Sequence, residues 1–136
     1  MKTRALVTGA SRGIGAAIAE ALAGMGHPVI LNYRQNHVAA RSVQARIEAA
    51  GGEARLSAFD VADAAESARA LEELLSADPR PIGVVINNAG ITRDAAFPAL
   101  QRGEWDEVTR TTLDGFFNVT QPLVMQMVHN LSLIHI

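Results

Sequence analysis

The sequence predicts an α/β fold, half of a doubly wound parallel sheet with helices on both faces, and three observations predict it. Short apolar runs of strand length alternate with stretches of helical period, the runs are apolar on both faces, and a glycine-rich loop joins the first run to the first helix. With 136 residues, 49% of them hydrophobic, the chain is long enough for one core and too short for two domains of ordinary size.

The candidate strands are ALVT (5–8), PVILNY (28–33), ARLSAF (54–59) and IGVVIN (82–87); Pro28 is tolerated because it opens its run. Between them lie three amphipathic stretches. Ile14, Ile18 and Leu22 mark the first helix, Ala40, Val43, Ile47 and Ala50 the second, and Ala64, Ala68, Leu71 and Leu75 the third. Gly51-Gly52 supplies a stop to the second, and Asp63-Ala64-Ala65-Glu66 has the spacing of a capping box that opens the third. A fourth helix is expected over roughly 104–130, dependent on packing because it contains Gly115 and Pro122.

The net charge is −2 and the charged residues are scattered singly, so the sequence offers no basic stripe for nucleic acid or an anionic membrane. A small-molecule role is favoured. The lack of cysteine excludes disulfides and thiolate metal sites and agrees with a reducing compartment. His27, His37, His129 and His135 show no ligand spacing, so no metal site is expected. With no signal-peptide pattern and no apolar run near the ~20 residues of a spanning helix, the expectation is a soluble, cytoplasmic protein.

The loop VTGASRGIG (7–15) ends a strand and starts a helix, so its backbone N–H groups and the helix N-terminus converge on one spot of partial positive charge. An anion belongs there. Gly9, Gly13 and Gly15 allow a tight turn, close approach of a pyrophosphate and close packing of helix on strand; on local chemistry alone they could also simply end a strand and begin a helix.

Thr8-Gly9-Ala10-Ser11-Arg12-Gly13-Ile14-Gly15, with Asn87-Asn88-Ala89-Gly90 after the fourth strand, resembles the short-chain dehydrogenases/reductases. NNAGITRD (87–94), EWDEV (104–108) and LDGFFNVT (113–120) are similar to the 3-oxoacyl-[acyl-carrier-protein] reductases and their acetoacetyl-CoA reductase relatives, a resemblance running from residue 3 to about 127. It implies a Rossmann-type sheet in strand order 3-2-1-4, with a fifth strand beside the fourth. Gly9, Ser11, Arg12 and Ile14 would line the diphosphate and adenosine ribose, Asp60 and Val61 would meet the adenine, and Asn88, Ala89 and Gly90 would flank the nicotinamide-side ribose. Asp60 could instead open a turn, and the asparagine amides could tie the loop to a neighbouring strand.

The cofactor expected is NADP(H). NAD-specific sites place an acid near the end of the second strand, but LNYRQN (31–36) offers Asn32, Tyr33 and Arg34, and Arg34 with Arg12 could clamp a 2′-phosphate. Family members protonate the substrate carbonyl with a tyrosine whose pKa is lowered by a lysine four residues on, because a free phenol is a poor acid at neutral pH. Here the only tyrosine is Tyr33 and the only lysine is Lys2, and the family's asparagine position, counted from Trp105, falls on Thr112. No catalytic residue is therefore assigned, and the chain is expected to be inactive alone.

VHNLSLIHI (128–136) replaces the basic, glycine-bearing turn expected next, and LSLIHI resembles translated adapter read-through. The expectation is a truncated coding sequence: residues 1–128 as the NAD(P)-binding half-domain and 129–136 as a tail foreign to the family. The full-length parent implied by the resemblance reduces a 3-oxoacyl thioester, on acyl carrier protein or coenzyme A, in fatty acid biosynthesis, as a homotetramer. The stretch alone would be aggregation-prone. A non-catalytic NADP(H)-binding sensor or regulatory module is the competing reading.

Overall fold

The computed structural model describes residues 2–130. Four parallel strands, β1 (Arg4–Val7), β2 (Val29–Tyr33), β3 (Ala54–Ala58) and β4 (Ile82–Ile86), form one sheet in the order β3-β2-β1-β4. Each boundary lies within one residue of the run read from the sequence. The two-sided apolarity has the expected cause. Leu6 and Ile30 stand opposite one another in register and face one layer, while Val7 and Leu31, one step along, face the other.

Helices α1 (Gly13–Gly24) and α2 (His37–Ala49) cover the Val7 face, where Ala16, Ala19, Val43 and Ile47 are buried. On the Leu6 face, α3 (Ala64–Ala77) and α5 (Gly115–Asn130) bury Leu71, Leu74, Val119 and Leu123 around Phe59 and Ile82. The second helix buries Ala40, Val43 and Ile47 as expected and ends at Gly51, whose φ of +87° suits glycine; Ala50 is exposed.

Two stripes differ from the sequence reading. In α1 the buried line is Gly15, Ala16, Ala19 and Ala23, whereas Ile14 is 74% exposed and Ile18 and Leu22 sit at the flank. The small residues let the helix approach the sheet closely and leave the larger ones at the margin. In α3 the buried line is Ser67, Leu71 and Leu74, with Ala64 and Ala68 exposed. The Ser67 hydroxyl donates to the Asp60 carbonyl at 3.2 Å, which turns that face inward. The capping box is also split: Asp63 accepts from the Glu66 N–H at 2.9 Å, but the Glu66 carboxylate takes the Asp60 N–H rather than that of Asp63.

The last helical stretch is not one uniform helix. After a short 3₁₀ turn (Phe97–Ala99), α4 (Arg102–Thr109) runs into a π-type turn (Arg110–Asp114) before α5 begins. The Gly115 N–H bonds the Arg110 carbonyl five residues back. Pro122 lies inside α5 without stopping it, because Val119 and Leu123 on either side are fully buried and hold the helix on the sheet.

At the end of the sheet away from the glycine loop, the Arg4 side chain is only 3% exposed. Its guanidinium donates to the carbonyls of Leu74, Asp78 and Arg80 at 3.0, 3.1 and 2.7 Å, gathering one carbonyl of the last turn of α3 and two from the segment that follows it. Arg80 in turn bridges Asp78 and Glu53.

Arg4→Met is expected to lower stability by about 2–4 kcal/mol, because three acceptors lose their donor and the ion network loses its buried member; urea denaturation measures it, and an unchanged midpoint would contradict the assignment. The Arg80 hydrogen bonds hold the Asp78 and Glu53 carboxyls below their ordinary range. Their contribution should be complete above that range and decline as pH falls through it toward the lowered folded values. Asp78→Asn should therefore flatten the acid limb of a stability–pH curve. Among the described residues β4 has no neighbour beyond β1, and Phe97, Trp105, Phe116, Phe117 and Met125 are more than half exposed. Size-exclusion chromatography of the 136-residue chain is expected to show species larger than a monomer, reduced by Val84→Lys on the open strand.

Candidate functional site: a cleft at the carboxyl ends of the strands

The sheet order reverses between β1 and β4: the chain leaves β1 toward β2 on one side, and β4 returns on the other. Loops diverge at such a point and leave a crevice. Here it is a cleft of about 570 Å³, lined by Gly9, Ser11, Arg12, Gly13 and Ile14 from the first loop, Asn32 in β2 and Arg34 after it, Asp60 and Val61 after β3, and Asn88, Ala89 and Gly90 after β4. The structure thus brings together every cofactor-binding residue named from the sequence except Gly15, which packs beneath the loop. Thr112 stays outside, exposed in the π turn. Thr111 reaches the cleft wall instead, with its hydroxyl donating to the Glu107 carbonyl at 3.0 Å.

The glycine loop is held from three strands. The Asn88 amide donates to the carbonyls of Thr8 and Gly9 at 3.2 and 3.1 Å, and the Thr8 hydroxyl accepts the N–H groups of Asn88 and Ala89 at 3.0 and 2.9 Å. Asn32, 2% exposed, accepts the Gly9 N–H at 3.2 Å and donates to the Phe59 carbonyl at 3.0 Å. Asn87 donates to the Thr120 hydroxyl at 2.9 Å and fixes the segment after β4 to α5. Sequence reasoning had assigned Asn32 no supporting role. Its signal was a carboxamide in an otherwise apolar buried strand, which has to find partners.

Two glycines are required by contact. A Cβ on Gly15 would lie 2.3 Å from the Gly9 carbonyl oxygen and 2.5 Å from the Asn88 amide nitrogen, and one on Gly9, at φ +61°, would lie 2.9 Å from the Ala89 Cα. Gly13 also has a positive φ, of +58°, but nothing stands within 4 Å of the added atom.

The electrostatics favour an anion. α2 and α3 are capped by Asn36 and Asp63, and at α4 the Glu104 carboxylate reaches back to the Gln101 N–H at 2.9 Å. α1 has neither a side-chain cap nor an acidic residue in its first turn. Its orphan N–H groups open toward the cleft beside Arg12 and Arg34. The end of β2 carries no carboxylate of its own, yet the fold supplies one: Asp60 Oδ2 lies 3.4 Å from Arg34 Nε. The lone tyrosine, Tyr33, is buried, and its hydroxyl is hydrogen-bonded to His37 Nδ1. A second hollow, of about 350 Å³, is lined by Phe97, Leu100, Gln101, Arg102 and Trp105, with Arg102 paired to Asp106.

A parallel sheet with a glycine loop, an uncapped first helix and two cations at its switch point defines a dinucleotide-binding α/β protein. The family model described as short chain dehydrogenase matches residues 3–132, and the chain belongs to that family. It is 44% identical over 128 residues to a 3-oxoacyl-[acyl-carrier-protein] reductase of Aggregatibacter actinomycetemcomitans, covering 94% of this chain and 52% of that one. It is 46% identical to an acetoacetyl-CoA reductase of Paracoccus denitrificans over 88% of this chain and 47% of the relative. The chain therefore spans about half the length of the curated relatives it matches. Among solved structures, a 3-oxoacyl-(acyl-carrier-protein) reductase of Agrobacterium tumefaciens with NADP bound aligns at TM-score 0.85 and 34% identity, covering 94% of this chain and 48% of that one. A gluconate 5-dehydrogenase of Burkholderia cenocepacia in complex with NADP and tartrate aligns at 0.83 and 37%, covering 94% and 49%.

Gly15→Ala is expected to cost about 3 kcal/mol or more, since backbone and the Asn88 amide must both move, whereas Gly13→Ala should cost only the left-handed strain of about 1–2 kcal/mol. Thr8→Val keeps the shape and strips two N–H groups of their acceptor, for an expected loss of about 1–3 kcal/mol. Thermal or urea unfolding of the three variants tests the order; equal losses at Gly13 and Gly15 would contradict the contact argument.

Proposed function

We propose that residues 1–128 are the NADP(H)-binding half of a short-chain reductase, and that the whole protein reduces a 3-oxoacyl thioester, on acyl carrier protein or coenzyme A, to the 3-hydroxyacyl form. The observation that carries this reading is the uncapped start of α1, set with Arg12 and Arg34 in one cleft. The diphosphate suits the α1 N–H groups, and the 2′-phosphate suits the two guanidinium groups, which offer planar, charge-assisted donors. Gly9, Ser11, Gly13 and Ile14 bring the backbone close to the diphosphate, Gly15 seats the helix, Asp60 and Val61 border the adenine, and Asn88, Ala89 and Gly90 border the nicotinamide-side ribose.

Bound NADPH would supply a hydride to the substrate carbonyl. The chain's own residues bind and orient the dinucleotide, but the alkoxide that forms needs a proton. Tyr33 is engaged with His37 after β2, and Lys2 does not follow it at the family's spacing. Thr112 is exposed in the π turn, outside the lining of the cleft. Turnover by this stretch alone is therefore expected to be negligible. The reductases among its relatives favour the enzyme half over a non-catalytic NADP(H) sensor. Cytoplasmic location and a homotetrameric whole protein belong to the same reading; among the described residues no helix is long and apolar enough to cross a membrane.

NADPH is expected to bind about 10- to 100-fold more tightly than NADH, the range that one charge-assisted contact set supplies, and Arg12→Ala should erode the difference. Titration calorimetry checks it, with equal affinities as the contrary result. In an assay of NADPH oxidation with acetoacetyl-CoA, the 136-residue chain should show no steady rate, since general acid catalysis accounts for about 10²- to 10⁴-fold. Steady turnover would place a proton donor within it, and Thr112→Val would then be the first variant to examine.

A further inference from the structure

The adenosine end of the cleft is spanned by an ion pair from two different strands, Arg34 after β2 and Asp60 after β3. The two partners are not equally constrained. The Asp60 backbone donates to Glu66 Oε1 at 3.1 Å and accepts from the Asp63 N–H at 3.0 Å and the Ser67 hydroxyl at 3.2 Å. Its Oδ1 accepts the Ala62 N–H at 2.9 Å. The carboxylate is thus a fixed charge, 27% exposed, with Oδ2 left for Arg34. Arg34 is 53% exposed, meets Asp60 at 3.4 Å through Nε, and donates no hydrogen bond to another described residue. It is the less constrained partner of the two.

Building on the NADP(H) reading above, we infer that Asp60 is a specificity-determining residue, setting the preference between 2′-phosphate and 2′-hydroxyl through its hold on Arg34. A 2′-phosphate brought to Arg34 competes with a carboxylate already paired there and is repelled by it. A neutral 2′-hydroxyl meets no such repulsion and can donate to the carboxylate. Arg34 and Asp60 therefore push in opposite directions, and the discrimination is the balance of a pair rather than the property of one arginine. In a partly exposed pair the size of the effect is modest, about threefold to tenfold in affinity.

The test measures dissociation constants of NADPH, NADH and adenosine 2′,5′-bisphosphate for the unaltered chain, Asp60→Asn, Arg34→Gln and the double variant. Asparagine keeps an oxygen for the Ala62 N–H, and Asp60→Ser, whose hydroxyl can take the same bond, serves as a second removal of the charge. Either change should tighten NADPH and the bisphosphate about threefold to tenfold and leave NADH unchanged or weaker, with less than half of that gain remaining when Arg34 is glutamine. Arg34→Gln alone, with Asp60 left uncompensated, should invert the preference to NADH. Four results overturn the inference alone: both dinucleotides shifting together, NADPH weakening, an equal gain in both Arg34 backgrounds, or Arg34→Gln merely equalising the two. Binding of neither dinucleotide by the unaltered chain overturns the cofactor reading along with it.

Discussion

The Asn88 carboxamide, bonded to two successive carbonyls of the first loop, is the interaction on which the rest of the site depends. It sits where β4 ends and spans the point at which the sheet reverses order. Its nitrogen occupies the space a side chain on Gly15 would need, so α1 can start close to β1 only because residue 15 has no Cβ. That close start aims the orphan N–H groups into the cleft. Thr8 and Asn32 complete the same clamp from β1 and β2 and leave few buried polar groups unpaired at the loop.

The two ends of the sheet serve different purposes. At one end, Arg4 draws together carbonyls of the last turn of α3 and of the segment after it, and Arg80 closes the surface with two carboxylates. At the other, donors are left uncommitted around an open cleft, and rigidity comes from side chains one step behind it. Such division is what a parallel sheet permits, since all strand C-termini lie on one side. Arg4 is buried and committed to the fold, whereas Arg34 is half exposed and lines the cleft.

Much of this could be read from the sequence because the signals were local. Strand runs, the Gly51 stop, the Asp63 cap and the two glycine and asparagine motifs each lie within a few residues, and the structure places them as read. The face of α1 was misread because apolarity alone was counted: the larger residues marked a stripe, but closeness to the sheet selected the small ones. Asn32 reads as an absent acid in the sequence because its partners lie 23 to 27 residues away. The Arg34 and Asp60 pair was likewise hidden, since only the β2–β3 pairing brings those strand ends together.

The π turn between α4 and α5 works as a phase shift in the wiring of the last helix. One surplus residue in a turn offsets everything downstream by about 100° around the helix axis. With that offset, Thr111 looks into the cleft while Gly115 lies against Val61, where a Cβ would come within 2.8 Å of a valine methyl, and Val119 and Leu123 stay on the sheet. Forcing 110–114 into regular α-helical turns with every residue kept would leave the composition untouched and rotate the whole of α5 by that angle, turning the buried line of Gly115, Val119 and Leu123 off the sheet. The spacing between cleft and core is thus stored as a count of residues, which no substitution scan of the helix would expose.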